Sequence, residues 1–368
     1  MTDPGAEPVT DAGAARRATR WRLTRLACGL VLGVLMLGVA ALGVTALAPG
    51  PVGGVMGQVA GAVPWWRDAV SGPGPLAEAR AIVVPRGGTG EVAQALRADG
   101  VIDQPLLFRA AAWVTRGAGA LHAAEFRFPA HASVGQVLAI LREARPVEHQ
   151  LTIAEGLTAR QIVHLVNHAE DMSGKVGSID EGSVLPQTYD YLNGAERSAL
   201  VARATAAMDK ALAAAWADRA PGLSLSSPRD ALILASIVER ETAKPEERPH
   251  VAAVYLNRLR QGMRLQADPT VVYLASNGSG ALDHPLTRAE LGRDDPFNTY
   301  RSAGLPPAPI CSPSLDSIKA VLHPMASEDL FFVADGSGGH VFSRSYEAHD
   351  SAVARWRALS PGTRGGAE

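Results

Sequence analysis

The longest apolar run covers residues 26–48, 23 positions without a charge. At 1.5 Å per residue such a helix is about 34 Å long, enough to cross the hydrocarbon core of a bilayer. Arg16, Arg17, Arg20, Arg22 and Arg25 precede it, and the next basic residue is Arg67. The positive-inside rule then places residues 1–25 in the cytoplasm and everything after residue 48 outside it. Ala46-Leu47-Ala48 has the small-residue form of a cleavage site. The run nonetheless exceeds the roughly 7–15 residues of a signal peptide's apolar region, and Pro49 follows the cut. The expectation is an uncleaved anchor. Residues 49–78 are rich in Gly, Pro, Ala and Val around Trp65-Trp66, which predicts a juxtamembrane linker.

Beyond the linker the pattern changes to short strands alternating with helical spacing. Residues 81–84, 125–128 and 150–153 predict strands, followed by helices over 89–96, 133–141 and 158–166. The second and third helices open on capping boxes, Ser133 with Gln136 and Thr158 with Gln161, in which side chains and backbone N–H groups satisfy one another. From about residue 178 come a polar loop with aromatic interruptions, an Ala-rich helix over 199–220, and a helix over 230–242 capped by Ser227 or Asp230 and stopped before Pro245. A further helix covers 250–262. Residues 330–334 and 340–343 flank Asp335-Gly336-Ser337-Gly338-Gly339 as a hairpin, and a last helix runs from about 346 to 359. The fold class expected is α+β.

Composition narrows the chemistry. The chain has 368 residues, 47% hydrophobic and 20% charged, with a formal net charge of −2. That balance suits a packed protein and gives no electrostatic case for nucleic acid. Cys28 and Cys311 cannot form a disulfide framework or a zinc site. Phosphate-binding glycine loops, the H-E-x-x-H zinc motif and the G-x-S-x-G elbow are absent, and none of the four lysines lies three residues after a serine. His284, His323, His340 and His349 have no metal-ligand spacing, so neither metal nor cofactor is expected.

The informative helix contains Ala231 to Val238, eight nearly apolar residues, and ends in Glu239 and Glu241. A helix that is apolar all round is a buried one. Either acid can lean back over apolar surface, where a carboxyl keeps its proton to higher pH and acts as a general acid. The competing reading is an ordinary last turn, with Glu239 or Glu241 paired to Arg240 or Arg248. Gln266, Asp268, Asn298 and Tyr300 lie in polar loops of the kind a sugar groove needs. Such loops equally serve to satisfy their own backbone.

The segments Ala235-Ser-Ile-Val-Glu239-Arg-Glu241-Thr, Val254-Tyr-Leu-Asn-Arg-Leu, Leu265-Gln-Ala-Asp268-Pro-Thr-Val, Phe297-Asn-Thr-Tyr300 and Gly304-Leu-Pro-Pro-Ala-Pro-Ile resemble the endolytic murein transglycosylases, the YceG-like family. Glu181-Gly-Ser-Val-Leu-Pro-Gln-Thr-Tyr189 and Gly339-His-Val-Phe-Ser also follow the family pattern, and the resemblance runs from about 80 to 358. The chain departs from that pattern at Phe297, Cys311, Ser314, the 347–350 segment and Ala124-Glu125-Phe126.

The resemblance implies cleavage of the β-1,4 bond between N-acetylmuramic acid and N-acetylglucosamine within a peptidoglycan strand, leaving a 1,6-anhydro end. It assigns the catalytic acid to Glu239; Gln266, Asp268, Asn298 and Tyr300 are expected to line the glycan groove or to orient Glu239, and Glu181 and Tyr189 are also expected to bind substrate. It also implies a cytoplasmic (inner) membrane location with an extracytoplasmic catalytic part, and peptidoglycan synthases as partners. The organisation expected is a cytoplasmic tail over 1–25, a transmembrane helix over 26–48, a linker over 49–78, a LysM-like subdomain over 79–150, a catalytic domain over 151–360 and a tail over 361–368. Two alternatives remain: a membrane-anchored glycan-binding scaffold that cuts nothing, and a hydrolytic muramidase with Asp268 as second carboxylate.

Overall fold

A computed structural model describes residues 66–359, a mixed α+β fold. The expected anchor, the cytoplasmic and C-terminal tails, and the linker as far as residue 65 lie outside the described residues. Among the described residues no helix is long and apolar enough to cross a membrane.

The chain divides into two compact units. The described part of the first covers 66–80, 87–121 and 128–143; the second covers 81–86, 122–127 and 144 onward. The first unit is built from α1 (Thr89–Ala98), α2 (Pro105–Val114) and α3 (Val134–Glu143). Each helix buries one stripe: Val92, Ala93 and Leu96 on α1, Phe108, Ala111 and Ala112 on α2, and Val137, Leu138 and Leu141 on α3. The Ser133–Gln136 capping box is present, with Gln136 N–H donating to Ser133 Oγ at 3.2 Å and Ser133 N–H to Gln136 Oε1 at 2.9 Å. The sequence pattern does not predict α2. Its single charge, Arg109, leaves no polar face for a period to register against.

Strands β1 (Arg80–Val83) and β2 (Glu125–Phe128), most of whose residues belong to the second unit, form a two-stranded sheet. Strand β3 (Glu148–Thr152) pairs antiparallel with β5 (Thr188–Leu192), Leu151 opposite Tyr189 and His149 opposite Tyr191. The short β4 (Met172–Ser173) and β6 (Ala195–Glu196) pair in parallel. Leu151, Tyr189 and Tyr191 pack with Ile162 and Val166 of α4 (Ala159–Asn167) and with Leu200 and Ala204 of α5 (Arg197–Ala217). Thr158 caps α4 with Gln161, as its spacing predicts.

A larger core surrounds α6 (Pro228–Glu241), α7 (Arg248–Arg260) and α10 (Leu315–Leu322). Ser227 caps α6 by accepting from Asp230 N–H at 3.2 Å, and every residue from Ile233 to Val238 is buried. The helices α8 (Asp268–Ala275) and α9 (Arg288–Gly292) follow α7. The hairpin of β7 (Phe331–Ala334) and β8 (His340–Ser343) precedes α11 (Tyr346–Leu359). Its turn is held by Asp335 Oδ1, which accepts from the N–H groups of Ser337 at 2.7 Å and Gly339 at 3.1 Å.

Candidate active site

The site is assembled at the last turn of α6 by a segment that arrives from 75 residues away. Ser236, inside that helix, accepts Ile310 N–H at 3.0 Å on its hydroxyl, and its carbonyl accepts the Cys311 thiol at 3.3 Å. The proline-stiffened 304–310 segment is thereby fixed against the helix. Ser312 then exchanges backbone hydrogen bonds with the 156–157 turn: Gly156 N–H donates to Ser312 carbonyl at 2.9 Å, and Ser312 N–H to Leu157 carbonyl at 2.8 Å. Gly182 lets the 181–184 turn close over the same segment. Its φ is +75°, and a Cβ there would stand 2.8 Å from the Pro309 ring.

These contacts bring Ser314 onto Glu239. Glu239 Oε2 accepts from the Ser314 N–H at 2.8 Å and from its hydroxyl at 2.5 Å, while Oε1 accepts from Arg248 Nη2 at 3.0 Å. The Glu239 side chain is 3% exposed, so its carboxylate direction is set by three charge-assisted hydrogen bonds in a largely dry setting. Ser314 also caps α10, accepting Ser317 N–H at 3.1 Å. Of the pairings open to the two acids and two arginines, the one formed is Glu239 with Arg248. Arg240 turns to the carbonyls of Gly156 at 3.3 Å and Gly280 at 2.6 Å.

Glu241, two residues on, has the contrasting environment. Its Oε2 is buried without a hydrogen-bond partner. Burial, reinforced by the charge of Asp268, pushes its carboxyl up to about 7, with Tyr255 and Arg258 acting in the opposite direction. Burial likewise holds the neighbouring Tyr255 hydroxyl well above the usual phenol range. A carboxyl pKa raised by burial, as expected over apolar helix surface, is found at Glu241.

Asp268, at the start of α8, is exposed and accepts the Tyr300 hydroxyl at 2.5 Å. Burial and the Asp268 charge raise the Tyr300 pKa far above its ordinary value. Gln266 is also exposed, adopts a left-handed φ of 52°, and accepts from Arg258 Nη1 at 3.3 Å. Arg258 further donates to the carbonyls of Leu330 at 2.6 Å and Leu265 at 2.7 Å.

Glu181 accepts Ala159 N–H at 2.7 Å and the Tyr273 hydroxyl at 3.1 Å; burial raises its pKa against those hydrogen bonds. Asn298 is fully buried, and its amide donates to the carbonyls of Glu290, Leu291 and Arg293. It holds the 290–300 loop and presents no free group to a glycan. Tyr189 is buried in the β3–β5 core and donates to the Leu185 carbonyl at 2.7 Å. The expected groove residues therefore divide, with Gln266, Asp268 and Tyr300 together at an accessible edge and Asn298 and Tyr189 inside. Tyr255, Arg258 and Tyr273 escaped sequence reasoning because aromatic and basic residues on apolar helices carry no spacing signal of their own. Among the described residues, no group of three or more His, Cys, Asp or Glu is arranged to hold a metal ion.

Residues 82–355 match the model of the YceG-like family. Over 181 residues the chain is 35% identical to an endolytic murein transglycosylase of Streptococcus pneumoniae, covering 47% of this chain and 32% of that protein. It is 37% identical over 125 residues to an endolytic murein transglycosylase of Bacillus subtilis, covering 34% of each. The matches thus span about a third of the length of these relatives. A crystal structure of a YceG-like protein from Listeria monocytogenes is similar with a TM-score of 0.49 and 24% identity, covering 74% of this chain and 98% of that one. With its family model matched across most of the chain, this protein belongs to the YceG-like family.

Proposed function

We propose that this protein is an endolytic lytic transglycosylase that cuts the MurNAc–GlcNAc β-1,4 bond within peptidoglycan strands beside the cytoplasmic membrane. Residues 26–48 form its single-pass anchor, and the folded part lies on the extracytoplasmic side. The observation that carries the reading is the environment of Glu239, a carboxylate aimed by Arg248 and Ser314 at the end of a buried helix. That the relatives are endolytic murein transglycosylases supports it.

One carboxyl suffices for this reaction. Protonated Glu239 donates to the glycosidic oxygen as the C1–O bond of the muramoyl residue breaks, and the proton leaves on the GlcNAc hydroxyl. The resulting carboxylate takes the proton of the muramoyl 6-hydroxyl as that oxygen bonds C1 and closes the 1,6-anhydro ring. Glu239 is reprotonated and no water is consumed. Arg248 and Ser314 fix the direction in which the carboxyl faces the glycan. Burial raises the Glu241 carboxyl to about 7, and its Oε2 is shielded from solvent without a hydrogen-bond partner. Gln266, Asp268 and Tyr300 offer amide, carboxylate and phenol to sugar hydroxyls.

The exposed Asp268 carboxylate favours one second reading, a hydrolytic muramidase in which Asp268 assists an attacking water. Mass spectrometry of strands digested by the protein, beside Glu239→Gln, decides between them. Anhydro-muramoyl ends that vanish with the variant are expected. Reducing ends would establish hydrolysis, and binding without any cleavage would establish a scaffold.

A further inference from the structure

The first unit carries an exposed apolar and basic face that the reaction does not use. Helix α2 buries Phe108, Ala111 and Ala112 on one side. At the opposite helical positions Leu106 is 70% exposed, Trp113 51% and Val114 48%. Monomeric proteins seldom leave such residues in one contiguous stripe without a partner. Arg109 flanks the stripe, and Arg116 stacks on Trp113 with its guanidinium 4.6 Å from the ring centroid.

The charge along this face is mainly basic, with the exposed Asp103 just ahead of the helix. From Gln104 to Ala124 the chain contains Arg109 and Arg116 and no acidic residue. At the N-terminal end of the stripe, Gln94, Arg97, Gln104, Pro105, Leu106 and Arg109 line a cleft of about 310 Å³. The Arg97 and Arg109 side chains are exposed there and make no hydrogen bond or ion pair among the described residues. Apolar side chains that reach outward, a tryptophan at their edge and arginines with long stems around them are the composition that settles at a bilayer's headgroup boundary. The position along the chain agrees. Only 17 residues separate the 26–48 run from the first described residue, 66, which at full extension is at most about 60 Å.

From these features we infer that the Leu106–Trp113–Val114 face of α2, with Arg97, Arg109 and Arg116, docks on the surface of an anionic phospholipid bilayer. The inference rests on the membrane anchor proposed above for its geometry, not for its chemistry. The apolar side chains enter the acyl boundary while the arginines meet lipid phosphates.

The test uses the full chain reconstituted in vesicles of phosphatidylglycerol with phosphatidylcholine, and of phosphatidylcholine alone, both containing brominated acyl chains. The Trp113 contribution is the emission difference between wild type and Trp113→Phe. Expected is quenching of that contribution in the anionic vesicles, reversed by high salt. A variant with Arg97→Gln, Arg109→Gln and Arg116→Gln should lose surface contact by roughly a hundredfold. A Trp113 contribution unquenched in anionic vesicles, or equally quenched in the triple variant, overturns the proposal. So does a Trp113 emission change that appears only on adding peptidoglycan strands, which would make this a glycan face. Vesicle flotation at high salt reads the anchor separately. Failure to float there, with salt-sensitive and arginine-dependent flotation in low salt, removes the anchor and keeps the docking face.

Discussion

The Glu241 carboxyl gives the structure its sharpest thermodynamic signature. Its folded-state pKa is about 7 against an ordinary 4.5, chiefly because burial disfavours the charged form. The folded chain therefore holds a proton that the unfolded chain has released, so stability present below about pH 4.5 is lost as pH rises through about 7. At about 1.4 kcal/mol per pH unit the loss amounts to about 3 kcal/mol. Glu241→Gln keeps the shape and removes the titration. Urea unfolding of wild type and variant, compared at about pH 5 and about pH 8.5, isolates this group because the other titrations cancel between the two proteins. The stability of Glu241→Gln relative to wild type should rise by about 2.5 kcal/mol between those conditions. Two pH profiles that run parallel across that range would refute the buried, proton-retaining carboxyl.

Three further substitutions probe how Glu239 is held. Arg248→Met leaves a nearly buried carboxylate without its cation and should cost about 3 kcal/mol of stability by urea unfolding at neutral pH; an unchanged midpoint would show that the pair contributes nothing. Ser314→Ala removes one of three donors to Glu239 while the backbone N–H remains. Strand-cleavage kinetics should show kcat/KM down by roughly tenfold, the effect of one charge-assisted hydrogen bond. Gly182→Ala forces a side chain into a left-handed backbone and against Pro309; it should cost about 2 kcal/mol and lower cleavage with it, read by calorimetry and the same kinetics.

What the sequence discloses and what it withholds divide along the range of the interactions. The capping boxes at Ser133 and Thr158, the Ser227 cap and the Asp335 turn are local, so their residues announce them within four positions. The burial of α6 is equally legible, because eight apolar residues admit no solvent face. Glu239 and Glu241, by contrast, look alike in spacing, and what distinguishes them is the arrival of Arg248 and Ser314 over the first. That approach depends on the 304–312 segment bonding Ser236 and the 156–157 turn, contacts between parts of the chain far apart in sequence. Asn298 shows the same limit: an amide beside Tyr300 suits a sugar groove, yet three carbonyls of the preceding loop claim it. The α2 helix escaped because its exposed side is as apolar as its buried side.

The central claim is that Glu239 cleaves the glycan by ring closure and without water. Digestion of peptidoglycan strands in water enriched in heavy oxygen tests it directly, with the new ends weighed by mass spectrometry and Glu239→Gln run beside the wild type. The account predicts anhydro ends with no heavy oxygen from the wild type and no new ends from the variant. One heavy oxygen incorporated per cleavage, or undiminished cleavage by Glu239→Gln, would contradict it.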